Sequence, residues 1–436
     1  MDILQDKKLG RKVHNWLTIA YWNKILLLLY IFTMPFVSAF SFTGTLSMPL
    51  FLVVFLFMLM GIEVISSGKL PPGFIGFDLL LICLFLLLVI FSYATNGLGN
   101  SKALNHAIAY TSTFLLFYIT VKFVFFITEN KNLLIRQVLQ FLSFTTIVSA
   151  AFSNAEFILN NFFGFDVNEY IHRPLEGEEF YNPMVVGLFV RARGFATESG
   201  HFTLMMELFS PLVVYYMYFS GFCKWHAALK VLFVISIFFS FVFAASSASF
   251  VIIPVAIALA GLVHLKKIYF YVRRNPSGIL IASTIATFII LVFNYFFSLS
   301  ALVLLSVTDK LDSSSMDDLQ SRIDFFYNTF TGFDFIKKLS GAGPAGHEIL
   351  GYEQSILSLY YSIPFELGFL GLLLIVLLFL YFIACTLKIK TKIGFFLLLS
   401  VISGVIHYYF ISNFWYPWFW FIAAFAVFCG KKEIFK

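Results

Sequence analysis

Charge is what this chain has least of. Asp, Glu, Lys and Arg together make up 12% of its 436 residues, about half the share that soluble domains of that total length carry. Cysteine is nearly as sparse. Cys83, Cys223, Cys385 and Cys429 are scattered singly in or beside apolar runs, with neither framework nor metal-ligand spacing, and read as inert packing residues. A Walker loop, a dinucleotide fingerprint, a Ser-His-Asp signature and a metal motif are all missing. An enzyme that works on a bound nucleotide is therefore not expected, nor is a cofactor. Any catalysis here must use a substrate that arrives already activated. The net charge of +6 does not point to nucleic acid, because the basic residues do not gather on one soluble face.

What is abundant is apolar and aromatic: 60% hydrophobic, 20% aromatic, 59 Phe. These values define an all-α, polytopic membrane protein, read as one transmembrane domain over 1–436. Runs long enough to cross a hydrocarbon core of roughly 30 Å centre on 25–41, 46–62, 78–95, 106–127, 134–158, 201–220, 229–246, 248–264, 278–298, 354–385, 394–411 and 414–430, about twelve spans. The first is kept as a span and not a signal peptide, because a second follows almost at once. Pro364 is the expected break in the long tenth run, and Ser246-Ser247-Ala248-Ser249 the reversal between the seventh and eighth. With the N-terminus inside, only Lys102, Arg173, Arg191, Arg193, Lys310, Arg322, Lys337 and Lys338 of the 29 basic residues fall outside. That asymmetry predicts both termini on the cytoplasmic side. Lys122 is expected to snorkel to the inner surface, and the Tyr408–Trp418 aromatics to form an interfacial belt rather than a sugar-stacking platform.

Two outer segments are large, 159–200 and 299–353, and most outer charge of both signs lies in them. Function is therefore expected between these loops. The second contains an amphipathic helix: Ser313-Ser314-Ser315 precede Asp317 and Asp318 as an N-cap pattern, and Leu319, Ile323, Phe326 and Phe330 follow at helical spacing. Gly341-Ala342-Gly343 then makes a turn before the tenth run.

The focal stretch is Arg191-Ala192-Arg193-Gly194-Phe195-Ala196-Thr197-Glu198-Ser199-Gly200-His201, where the first loop enters a helix. Alternation puts Arg191 and Arg193 on one side of an extended segment. A guanidinium keeps its charge and matches phosphate oxygens in a bidentate fork, so the pair suits a lipid-linked diphosphate. Headgroup anchoring, or pairing with Glu176, Glu178 or Glu179, is the plainer alternative. Arg322 on the amphipathic helix is a third diphosphate ligand, or a solvated salt bridge. Glu198 is either an acid at a helix N-terminus or a general base. His201, His347 and Glu353 are the other base candidates. Glu207 shares a face with Gly200 and Thr203 and is expected to point into the bundle. Glu366 lies just beyond Pro364, where a carboxylate is functional or paired.

The layout resembles the O-antigen polymerase (Wzy-type) family, which is related to the O-antigen ligases. The resemblance is carried by Arg191 through Ser199, although the family's proline between Glu and Ser is absent. It is also carried by Arg322 with Gly341-Ala342-Gly343, and by Glu366-Leu367-Gly368-Phe369-Leu370-Gly371. It implies a GT-C-like fold with two periplasmic loops, and a metal-independent glycosyltransferase making lipopolysaccharide. A glycan would move from undecaprenyl pyrophosphate to a carrier-linked acceptor sugar at the periplasmic face. Expected partners are that lipid-linked oligosaccharide, membrane lipid and a polysaccharide chain-length regulator. Ligases resemble the same plan but usually carry a His-Asn pair before the late span, where this chain has Glu353-Gln354. The competing class is a transporter or lipid flippase, for which Pro211, Pro254 and Pro364 would suit broken helices.

Overall fold

A computed structural model describes residues 19–41, 46–167, 170–171, 173, 185–186, 189–264, 287, 313–352 and 358–431. The ninth apolar run (278–298), Glu353 with Gln354, and Glu176, Glu178 and Glu179 lie outside the described residues. The described chain is almost wholly helical. In order, the helices are α1 (Ile19–Thr33), α2 (Met48–Ser67), α3 (Phe77–Asn96), α4 (Ser101–Ile127), α5 (Lys131–Phe162), α6 (Ser199–Phe219), α7 (Ala227–Ala244), α8 (Ser247–Val263), α9 (Ser313–Thr331), α10 (Phe335–Ser340), α11 (Gly346–Ile349), α12 (Leu359–Leu387), α13 (Lys392–His407) and α14 (Pro417–Cys429). Two short strands, β1 (Val185–Val186) and β2 (Phe189–Val190), pair antiparallel just before the arginine segment. Among the described residues, seven helices (α2 to α7 and α12) are long and apolar enough to cross a membrane, and α1, α8, α13 and α14 are shorter apolar helices. The protein is a helical, membrane-embedded bundle.

Its axis is α14. Every residue from Pro417 to Cys429 is buried, and α4, α6, α12 and α13 pack around it. Thirteen residues of helix reach only about 20 Å, short of the hydrocarbon thickness, and a helix surrounded by protein need not match it. The expected aromatic belt is therefore corrected. Tyr408, Tyr416 and Trp418 are buried, with Tyr409 and Phe410 exposed. The Trp418 indole donates to Met34 O (2.7 Å) and the Trp420 indole to Phe414 O (2.6 Å). These rings pack the centre because a buried indole N–H must find an acceptor inside the protein. By contrast α2 buries only Pro49, Val53 and Leu56 and presents the rest of its apolar surface outward.

The reversal between α7 and α8 takes two residues, Ala245 (φ 45°) and Ser246, the α8 N-cap. The break in α12 falls elsewhere than expected. The chain stays helical through Pro364 and departs at Gly368 (φ 68°, ψ −173°). That departure releases helical carbonyls, and the turn after α10 takes them: Ala342 N–H donates to Phe365 O (2.8 Å) and Gly343 N–H to Glu366 O (3.0 Å). The Ser92 hydroxyl of α3 adds bonds to Ser340 O and Glu366 O, and the Asn96 amide to Gly341 O. Broken helices survive in apolar surroundings only when neighbours re-satisfy the freed groups in this way.

The approach leaves no room for side chains. A Cβ on Gly341 (φ 80°) would meet Glu366 O at 2.1 Å, and one on Gly368 would meet Leu339 O at 2.1 Å. Gly341→Ala and Gly368→Ala should each cost more than about 3 kcal/mol and abolish the monodisperse peak of detergent-extracted protein. Gly61→Ala, where a Cβ meets nothing within 4 Å, should leave that peak intact. Normal elution of both of the first two variants would mean the two backbones do not touch.

Candidate functional site

Polar and titratable side chains collect at one end of the bundle, where α3, α5, α7 and α13 finish and α4, α6, α12 and α14 begin. Three groups can be followed there, starting from the arginine segment. Glu156, buried on α5, anchors it. Its Oε2 accepts the backbone N–H of Arg193 (3.0 Å) and of Gly194 (2.8 Å), while Oε1 pairs with Arg173 (2.8 Å), which also donates to Gly194 O. Asn161, one turn and a half along α5, exchanges two hydrogen bonds with the Val190 backbone. Ala192 N–H bonds Phe243 O on α7, and Phe195 O accepts from Ala39 N–H after α1. Phe195 stacks on Phe152 at 4.3 Å. Arg191 and Arg193 are half-buried on either side of fully buried Ala192, as alternation predicts. One guanidinium nitrogen of Arg193 donates to Thr197 O (3.1 Å). Gly194 has φ 55°, and a Cβ there would strike the Phe202 ring at 2.6 Å.

His201 begins the second group. Thr197 Oγ1 lies 3.0 Å and Tyr416 OH 3.1 Å from its Nδ1, and Asn413 Nδ2 lies 3.3 Å from its Nε2. With both ring nitrogens engaged and the ring buried, His201 joins α6 to the start of α14. Glu198, the α6 N-cap, makes no side-chain cap bond and is exposed. Glu207 points inward as expected and pairs with His407 of α13 at 2.8 Å, both fully buried.

The third group forms around Glu366, buried at the break in α12. Tyr110 OH donates to its Oε2 (2.9 Å), and His106 Nδ1 (3.4 Å) and His347 Nδ1 (3.6 Å) face its Oε1. His106 Nε2 stands 3.6 Å from Glu348 Oε1, and Lys102 pairs with Glu348 Oε2 at 2.8 Å. The row therefore runs from a buried carboxylate through an imidazole to a carboxylate and an ammonium at the rim. Helix α9 packs beside it: Phe325 stacks on Tyr352 at 4.0 Å and Phe326 meets Tyr361 at 5.0 Å. Arg322 is half-buried one turn earlier on that helix. Lys337 and Lys338 belong to the separate helix α10, capped by Asp334.

The segment between α13 and α14 links the second and third groups. Phe414 stacks on Tyr110 (4.7 Å) and Trp415 lies edge-on to His106 (6.0 Å), while Asn413 and Tyr416 hold His201. At the opposite end Lys122 does not snorkel. It is fully buried against Asp78 and beside the rings of Phe74, Tyr118 and Phe126, because an interior carboxylate offers a better partner than a distant surface. Among the described residues no set of three or more His, Cys, Asp or Glu is arranged to hold a metal ion.

The residues passed over in sequence are Glu156, Tyr110 and His106. Each sits in a helical run without a motif, but a lone acid in an apolar helix is itself a signal that a partner exists. No family model and no curated protein matches the chain. Fold and side-chain clusters together define a membrane-embedded helical protein with its polar chemistry concentrated at one end.

Removing Glu156 would leave the Arg173 charge buried without its carboxylate, which costs about 3–5 kcal/mol. Glu156→Ala should therefore lower the thermal midpoint clearly and Glu156→Gln less. Equal midpoints for Glu156→Ala and wild type would remove Glu156 from its anchoring position.

Proposed function

We propose that the protein is a polymerase of lipid-linked oligosaccharide repeat units. It transfers a growing glycan from undecaprenyl pyrophosphate to a carrier-linked acceptor sugar. In this reading about twelve spans, including the run at 278–298, cross a bacterial inner membrane. Both termini are cytoplasmic, and the polar end of the bundle faces the periplasm between two large loops. The observation that carries it is the contact between two stretches that carry the family resemblance. Gly341-Ala342-Gly343 docks backbone to backbone on Glu366-Leu367-Gly368, although 25 residues separate Gly341 from Glu366 in the chain.

The chemistry requires little beyond charge and position. Pyrophosphate is a good leaving group, and fixed cations aimed at its oxygens stabilise the charge that develops as the sugar–oxygen bond breaks. Arg191 and Arg193 hold the diphosphate from the first loop and Arg322 closes on it from α9. The acceptor hydroxyl needs a base at the same mouth. The residues named for that role from the sequence are Glu198, His201, His347 and Glu353.

A transporter or flippase is the second reading, favoured by the break in α12 beside Glu366 and by the buried Glu207–His407 pair, since discontinuous helices and interior charges recur at transport sites. A ligase would use the same donor with a lipid A core acceptor. The deciding experiment gives purified protein in lipid nanodiscs a carrier-linked oligosaccharide. A ladder of products supports polymerisation, transfer only to lipid A core supports ligation, and flipping without a ladder supports transport. Arg191→Ala and Arg193→Ala should each slow ladder formation by about 10²–10³-fold. Ladders formed at the wild-type rate by both would take the arginines out of the mechanism.

A further inference from the structure

We propose that His106 is the general base that activates the acceptor hydroxyl, oriented by Glu366; this rests on the glycan-transfer reading above. Among the described imidazoles at this end, His201, His347 and His407 are buried. His106 combines the two properties a base needs. Its Nδ1 faces a buried carboxylate at 3.4 Å, and its side chain retains 22% exposure at the rim. A carboxylate behind an imidazole selects the tautomer that carries hydrogen on the near nitrogen. It also stabilises the imidazolium that forms when the far nitrogen takes a proton. Glu366 is itself fixed by the Tyr110 hydroxyl and by the backbone lock at Gly368, so the direction of the ring is set by the fold.

Among the described residues, charged and titratable groups face His106 from three elements: Lys102 on its own helix, with Tyr110 acting through Glu366; His347 and Glu348 of α11; and Glu366 of α12. Trp415 flanks the ring edge-on. Glu348 stands 3.6 Å from Nε2 and is itself 22% exposed, so an incoming hydroxyl reaches Nε2 by displacing this rim carboxylate. In the step, the hydroxyl proton passes to Nε2 while the oxygen bonds to the donor's anomeric carbon. The bond from that carbon to the diphosphate oxygen breaks, and the carrier diphosphate leaves with the electron pair. Imidazolium is then flanked by two carboxylates, Glu366 and Glu348, and returns its proton to water at the rim.

The test uses full-length protein in nanodiscs with carrier-linked oligosaccharide. His106→Ala should lower kcat by about 100-fold or more with KM for the carrier little changed. It should lose the acidic limb of the pH–rate profile and recover turnover on addition of free imidazole. Glu366→Gln should lower kcat about tenfold or more at unchanged KM. It serves as the second probe if His106→Ala fails to elute as a single species. A His106→Ala protein that keeps kcat within threefold, or keeps the acidic limb, overturns the assignment while leaving glycan transfer standing. So does a loss that imidazole does not restore in a normally folded protein. For the second probe, Glu366→Gln with wild-type kcat overturns it. Absence of any ladder from wild type overturns the glycan-transfer reading itself, and this inference with it.

Discussion

An apolar bundle cannot leave a backbone hydrogen bond unmade, and the break in α12 is where that constraint shapes everything around it. Departure from helical geometry at Gly368 frees carbonyls at Phe365 and Glu366, and the N–H groups of Ala342 and Gly343 are the replacement donors. The exchange is between two main chains, so glycine is obligatory on both sides at Gly341 and Gly368. From that lock the rest of the Glu366 group follows. It fixes the α12 turn that bears Glu366 and starts α11 with His347 just beyond the Gly-x-Gly turn. It also ties α3 to both through Ser92 and Asn96.

The buried carboxylates divide into two kinds. Asp78 pairs with Lys122 and Glu156 with Arg173. Glu207 and Glu366 instead face imidazoles, His407 for the first and His106 with His347 for the second. The Glu156–Arg173 pair also holds the main chain of Arg193 and Gly194 and acts as a pin. The segment from Tyr408 to Tyr416 joins the two halves of the polar end, touching His201 through Asn413 and Tyr416 and His106 through Trp415.

The helices were legible in sequence because apolar runs bounded by charge and Gly or Pro are a local signal, and the described runs hold helices near their expected places, except that the helix of the first run is Ile19–Thr33 and the chain turns over residues 34–40. What failed was non-local. Pro364 looked like the breaker, yet a proline removes only its own N–H, whereas Gly368 breaks because a distant turn arrives to take the carbonyls. Hydropathy does not distinguish a helix in the centre from one facing lipid, so the Trp418 and Tyr416 region was read as a belt. The burial of Lys122 has no local signal because its partner Asp78 stands 44 residues away. At the polar end, Arg191, Arg193, His347 and Glu366 stand out in sequence through motif or position, while His106 lies in a helix with nothing local to mark it.

The way Glu156 holds the first loop bears on what the arginines there can do. Its Oε2 accepts from the main chain of Arg193 and Gly194, not from the Arg193 guanidinium, and its charge is met by Arg173 through Oε1. Gripping the backbone fixes where Arg191 and Arg193 leave the chain, with Ala192 buried between them as the register mark. Glu156 thus acts on the main chain of the loop and on Arg173, and sets the direction of the arginines through the backbone.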